Sequence, residues 1–211
     1  MYTEINKSDC PKECAFKNKK TEPVLIPQPE EIIGIIVSRD PTVDWLYKYL
    51  KDEDEKNASR KLLFASAIPL SLLTKIAIFM RKALAHEDMK CLFNTIFEKV
   101  YWTHMHKCCT DSKNKELEFK RGNAKACADK WLDKELEKIV TNHNIKFILG
   151  LGKHVEAWIE GWYGKKNKDV LIVNLPHPSG QTNAIWYRRK ESYSYEEREK
   201  QIENLIELCK S

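Results

Sequence analysis

The residues of this chain whose types and spacing could do chemistry fall into a cysteine set and two proline-flanked steps. Cys10 and Cys14, in "CPKEC", are separated by three residues. Cys108 or Cys109 makes a second pair with Cys127, with 18 or 17 residues between them. Two separated pairs can converge on one four-thiolate site for zinc or an iron–sulfur cluster. The spacing also suits scattered structural thiols, because CxxxC is not the commoner CxxC and the long second gap matches no general zinc pattern. Asp40, in "SRDPT", directly follows the apolar run "EIIGIIV" (31–37). Pro41 disfavours a helical Asp40 and stops the run from pairing onward. A carboxylate held rigidly there can orient a water and partly deprotonate it; Asp-Pro is also a common opening of a turn. His177, in "HPSG", likewise ends an apolar run and is either a working imidazole or a strand exit bonded to backbone.

What must position these residues is a set of strands. "IIGIIVS", "VYWTHMH" (100–106), "KFILGLG" (146–152) and "VLIVNLPH" (170–177) are continuous apolar runs rich in β-branched residues. Parallel strands covered on both faces read this way. Between them, "LSLLTKIAIFMRKALAH" and "ACADKWLDKELEKIVTNH" carry helical periodicity, "GKHVEAWIEGWYG" reads as a short helix closed by Gly164, and "SYEEREKQIENLIELCK" as a final helix. Strands alternating with helices predict an α/β fold, a three-layer α/β/α arrangement around a four-stranded parallel sheet. In such sheets ligands sit beyond the carboxyl ends of the strands. "SRDPT", "THMHKCC" and "HPSG" are therefore expected along one edge.

Composition sets the bounds. The 211 residues suffice for one sizeable domain, and 42% hydrophobic residues supply an ordinary core. Lys and Arg number 36 against 31 Asp and Glu, a net +5 that permits a nucleic-acid partner without requiring one. No apolar stretch approaches the roughly 18 residues that span a bilayer. The start lacks the layout of a signal peptide. A cytosolic protein is expected, whose cysteines act as ligands or buried thiols. With no internal repeat, and neither "KYLKDEDEKNASRK" nor "TDSKNKELEFKRGNAK" dividing the chain, a single domain over 1–211 is predicted.

These pieces, in this order, resemble the uracil-DNA glycosylase superfamily, and most closely its iron–sulfur class. That class begins with a cysteine pair, continues with a strand ending in Gly-Glu-Ala-Pro-Gly and a Tyr-x-Thr-Asn-x-x-Lys-Cys strand, and follows with a fourth cysteine, a strand ending in Leu-Gly, and His-Pro-Ser. The counterparts here are "CPKEC", "SRDPT", "YWTHMHKC", Cys127, "FILGLG" and "HPS", spread over nearly the whole chain. The resemblance implies a [4Fe–4S] cluster on Cys10, Cys14, Cys108 and Cys127, with zinc as the alternative, Cys109 as a competitor for Cys108 and His106 as a substitute ligand. It also implies a prokaryotic or archaeal, nucleoid-associated protein that acts as a monomer on DNA containing damaged bases, with no membrane partner.

The same resemblance assigns roles. Asp40 matches the Asp-Pro of a Gly-Gln-Asp-Pro-Tyr motif, whose Asp positions the attacking water. His177 matches the histidine that stabilises negative charge on the departing base. Ser38 and Arg39 flank the base site with Thr42, and Arg39 could instead bind a phosphate. Phe64 is the expected stacking residue, with Trp45 or Tyr47 as alternatives. Ser179, Gln181, Arg188 and Arg189 match the loop that contacts DNA. His104 stands where the family has Asn, which reads the uracil edge, so hypoxanthine or xanthine becomes a possible substrate. The expected activity is base flipping and N-glycosidic hydrolysis in base excision repair, as a monofunctional glycosylase. The alternatives are a glycosylase-like DNA binder with little or no chemistry, and a redox or radical enzyme. Against the last stand the lack of a CxxxCxxC run and a total of only seven glycines.

Overall fold

Each apolar run becomes a strand of one sheet. The computed structural model describes residues 5–18, 23–26, 29–41, 68–80, 84–110, 115–116, 118–166, 170–179, 182–186 and 193–210. β1 (Gly34–Ser38), β2 (Val100–His104) and β3 (Phe147–Leu151) are buried at every position, whereas β4 (Leu171–Leu175) is buried only in part. All pairs are parallel and the order is β2-β1-β3-β4. β1 and β3 are thus neighbours whose onward connections run to opposite sides, which is the topological switch point where open parallel sheets form crevices.

The helices are α1 (Ile68–Met80), α2 (His86–Glu98), α3 (Arg121–Cys127), α4 (Asp133–Asn142), α5 (Lys153–Lys166), the short α6 (Asn183–Trp186) and α7 (Tyr193–Lys210). Alternation along the strands divides the core into two faces. Ile36, Trp102, Leu149 and Val173 pack with Leu72, Ile76, Leu92, Ile96, Ile202 and Leu205 of α1, α2 and α7. Ile35, Val37, Tyr101 and Ile148 pack with Ala124, Leu136, Ile139, Val155 and Ile159 of α3, α4 and α5. The expected three-layer α/β/α fold is therefore present. Gly34 is required where it stands, because a Cβ there would lie 2.1 Å from the Phe147 ring that crosses it.

Two local expectations are corrected, and one helix is new. The helix predicted through His86 ends its described run at Met80, and Leu84 and Ala85 are non-helical before α2 begins. α2 itself was not anticipated; it carries Glu87 and Asp88 in its first turn, where the helix dipole favours acids. α5 does not close at Gly164 but continues to Lys166. A π-helical stretch, Ala128–Leu132, joins α3 to α4. Ala124, Ala128, Leu132 and Leu136, each four residues from the next, all face the sheet. Such a stripe would rotate around a regular α-helix, and the wider π turn keeps it aligned. Among the described residues no helix is long and apolar enough to cross a membrane.

Candidate functional site at the carboxyl edge of the sheet

Parallel pairing places Ser38 directly opposite His104 at the ends of β1 and β2. The Ser38 Oγ lies 2.6 Å from His104 Nδ1, both groups being buried. The two chains continue in step beyond the strands, with Met105 N donating to Ser38 O at 2.8 Å and His106 N to Arg39 O at 2.9 Å. This ladder carries Asp40 to the sheet edge with its side chain only 1% exposed. A buried carboxylate needs donors. Arg39 Nε donates to Oδ1 and Thr110 Oγ1 to Oδ2. These two bonds engage one oxygen each, and a carboxylate offers about four lone-pair sites. The Arg39 guanidinium, 43% exposed, also lies over the Phe119 ring at 4.1 Å from its centroid.

His177 leaves β4 on the same edge. Gly152, at the end of β3, has φ +91, and a Cβ built there would stand 3.9 Å from the His177 Cβ. The positive φ turns the chain from β3 into α5 beside that imidazole and favours glycine. The His177 ring has a defined tautomer: Ser179 N donates to Nδ1 at 3.3 Å, and a backbone N–H can only donate, so the ring proton sits on Nε2. Its carbonyl is fixed by Trp186 Nε1 at 3.2 Å and by the Thr182 hydroxyl. The Ser71 hydroxyl, from α1, donates to Pro178 O at 2.9 Å.

The electrostatics tie these groups together. Burial holds the His177 imidazole below its ordinary pKa; the Asp40 charge opposes this and the Arg39 charge adds to it. Burial, chiefly, pushes His104 down to about 3, with the Lys107 charge adding and Asp40 opposing. Both rings are therefore neutral near pH 7, each offering one donor and one acceptor.

Beneath this edge lies a buried polar network that sequence reasoning missed. Glu135 of α4 accepts from Tyr101 OH at 2.6 Å, from Thr103 Oγ1 at 2.9 Å and from Lys107 Nζ. The Lys107 and Glu135 side chains are 3% and 1% exposed. Tyr101, Thr103 and Lys107 are the Tyr, Thr and Lys of "YWTHMHK", so their spacing was on view; their acceptor, in a distant helix, was not. The Tyr101 hydroxyl is held protonated, its pKa raised by burial and by the Glu135 charge. Phe119 and Thr110 were also missed, and no local pattern marks either.

Cys10, Cys14, Cys108 and Cys127 gather in one buried cluster with Ile5, Phe16 and Trp131. They come from the N-terminal segment, the exit of β2 and the end of α3. Cys108, not Cys109, joins them; the Cys109 Sγ instead contacts Thr110 O at 3.6 Å. His106 is buried with its ring 4.7 Å from that of Phe16, edge-on, and the Cys108 backbone is its polar neighbour. Burial raises the Cys108 thiol pKa, and the neighbouring Cys127, Cys10 and Cys14 raise it further. Cys127 is pushed up to about 11, mainly by burial. Lys107 N donates to Cys127 Sγ at 3.4 Å, and Lys17 Nζ to Cys10 O at 3.1 Å. Burial raises the thiol pKa of Cys10 as it does those of Cys108 and Cys127, and a bound cationic centre would relieve that cost. Among the described residues no group of three or more His, Cys, Asp or Glu side chains is set to hold a metal ion as it stands.

The described site therefore brings together Ser38, Arg39, Asp40, His104 and His177, with Ser179 behind His177. Phe64, Gln181, Arg188 and Arg189, as well as Thr42, Trp45 and Tyr47, lie outside the described residues. Comparison with protein-family models finds no match, and comparison with curated proteins finds none either.

Proposed function

We propose that this chain is a monofunctional DNA glycosylase that flips a deaminated base, most readily uracil, out of DNA and hydrolyses its N-glycosidic bond in base excision repair. The observation that carries this reading is the meeting of a buried carboxylate, Asp40, with a neutral imidazole, His177, whose proton lies on Nε2. The two groups come from the ends of β1 and β4. Asp40 orients the attacking water and opposes the positive charge that grows on the sugar as the bond stretches. The His177 Nε2–H donates to the base oxygen on which negative charge develops. Neutrality suits that role, because a donor that keeps its proton stabilises the anion without protonating it. His104, locked against Ser38, stands at the reading position for the flipped base.

Arg39 couples the site to DNA. An exposed guanidinium paired with a buried carboxylate can exchange that partner for a backbone phosphate, leaving Asp40 to the water. Next to it, His154, with its ring 5.5 Å from that of Phe119, lines a cleft of about 340 Å³ together with Arg121, Lys125 and Trp158. Asp129 and Asp133 line the same cleft, and Asp129 pairs with Lys125, which leaves Arg121 as its cation for a phosphate. Gln181, Arg188 and Arg189 are assigned to DNA contacts and Phe64 to stacking on the resemblance alone.

Cys10, Cys14, Cys108 and Cys127 are the residues that would hold a [4Fe–4S] cluster. Four gathered thiols have the donor chemistry of a thiolate-bound centre, with zinc as the alternative occupant. Its chemistry when bound is structural, tying the N-terminal segment to the exit of β2. The protein is assigned as a monomeric, single-domain, cytoplasmic and nucleoid-associated repair factor of a prokaryote or archaeon.

The test uses anaerobically purified protein and duplexes carrying uracil, hypoxanthine or xanthine, scored for alkali-labile abasic sites. Release by the wild type and not by Asp40→Asn supports the proposal; no release from any duplex overturns it. The ion pair of Arg39 with Asp40 favours a second reading, a glycosylase-like DNA binder whose carboxylate stays neutralised. That reading predicts salt-sensitive DNA binding with no cleavage in either form.

A further inference from the structure

We propose that Thr110 is a positioning residue for Asp40, through which the four-cysteine site sets the geometry of the reacting carboxylate. The inference rests on the glycosylase reading of Asp40. Residues 104–110 form a strap anchored at both ends to the exit of β1. At one end His104 Nδ1 lies 2.6 Å from the Ser38 Oγ; at the other the Thr110 hydroxyl donates to Asp40 Oδ2.

The middle of the strap is fixed independently. Cys108 sits in the thiol cluster, Val24 N donates to Lys107 O at 2.9 Å, and the Lys107 side chain reaches back to Glu135 in a buried ion pair. Thr110 is itself 2% exposed and lies two positions beyond Cys108. A β-branched residue on a strap held at so many points has little freedom to re-aim its hydroxyl.

Arg39 and Thr110, both donors to Asp40, therefore differ in kind. Arg39, on the solvent side, can leave for a phosphate. Thr110, on the buried side, stays, and a hydroxyl on a carboxylate is a strong, directional bond. Once Arg39 departs, Thr110 keeps the carboxylate plane aimed at the water. Displacing Cys108 would move Thr110 with it, so the state of the cysteine site reaches Asp40 without contact between the thiols and the substrate.

The experiment compares Thr110→Val, which keeps shape and loses the donor, with Thr110→Ser, which keeps the donor. Full-length protein is used, with its cysteine site loaded as purified. Three quantities are read: the single-turnover rate of base release, the Kd for the duplex, and the 13Cγ resonance of Asp40 at fixed pH. Thr110→Val should slow release about tenfold, the loss of one hydrogen bond from the reacting geometry. It should leave Kd within about twofold and shift the Asp40 resonance. Thr110→Ser should retain both rate and resonance. A Val variant with wild-type rate and an unmoved resonance overturns the proposal, as does a Ser variant that falls as far as Val. Should Thr110→Val not fold, Thr110→Ala is read in the same way. If the wild type releases no base, the glycosylase reading fails, and the Asp40 resonance alone decides the role of Thr110.

Discussion

A neutral imidazole at position 104 has one donor and one acceptor, and Ser38 engages Nδ1 at 2.6 Å. A serine hydroxyl can donate or accept, so a rotation of the Ser38 hydroxyl decides whether Nε2 presents a lone pair or a proton. An Asn amide, by contrast, presents fixed donors and an acceptor. His104→Asn is therefore expected to raise release of uracil relative to hypoxanthine, checked by competition between the two duplexes. His104 also makes stability depend on pH. Its folded pKa is lowered to about 3 by burial, against 6.5 for the free side chain. Below pH 6.5 the unfolded chain takes up a proton that the folded chain refuses, so stability falls as pH drops from 6.5 towards 3. The loss is about 1.4 kcal/mol per pH unit for this one group. The urea midpoint should thus fall between pH 7 and pH 5, and fall less in His104→Asn.

At the scale of elements, the strand runs were legible because burial on both faces leaves a continuous apolar signature, as "IIGIIVS" and "FILGL" show. α2 was not legible, since only Leu92, Thr95 and Ile96 of its thirteen residues are buried and the helical pattern before it runs on without a stop. The placement of Asp40 and His177 on one edge followed from strand ends alone. Their partners did not: the Thr110–Asp40 bond spans 70 positions, and the Lys107–Glu135 pair spans 28. Bonds of that range leave no period in a sequence. The Lys107–Glu135 pair carries its own prediction. Lys107→Met leaves Glu135 a buried charge short of its cation, and should cost about 3–5 kcal/mol of stability by urea unfolding. The double variant Lys107→Met/Glu135→Leu should recover much of that loss, because both charges are then gone.

For the whole molecule, the cysteine cluster acts as a staple between the N-terminal segment and the body of the fold. Cys10 and Cys14 belong to the N-terminal segment, which Ile5 and Phe16 also anchor in the same cluster, whereas Cys108 and Cys127 flank the strap and the π turn. Protein purified without oxygen is expected to carry about four irons per chain, the content of one [4Fe–4S] centre. Cys14→Ala should lose that iron and lower the thermal midpoint, measured by metal analysis and calorimetry on the same samples. One zinc per chain in place of iron would contradict the cluster assignment and leave the fold intact.

The central claim is that Asp40 and His177 together break a glycosidic bond. It is tested most directly by the single-turnover rate of free-base release from a uracil-containing duplex, with protein in excess, for wild type, Asp40→Asn and His177→Ala. Release by the wild type, with each variant slowed by about a hundredfold or more while duplex binding persists, is the predicted result. Binding without release in the wild type, or release undiminished in Asp40→Asn, would contradict it.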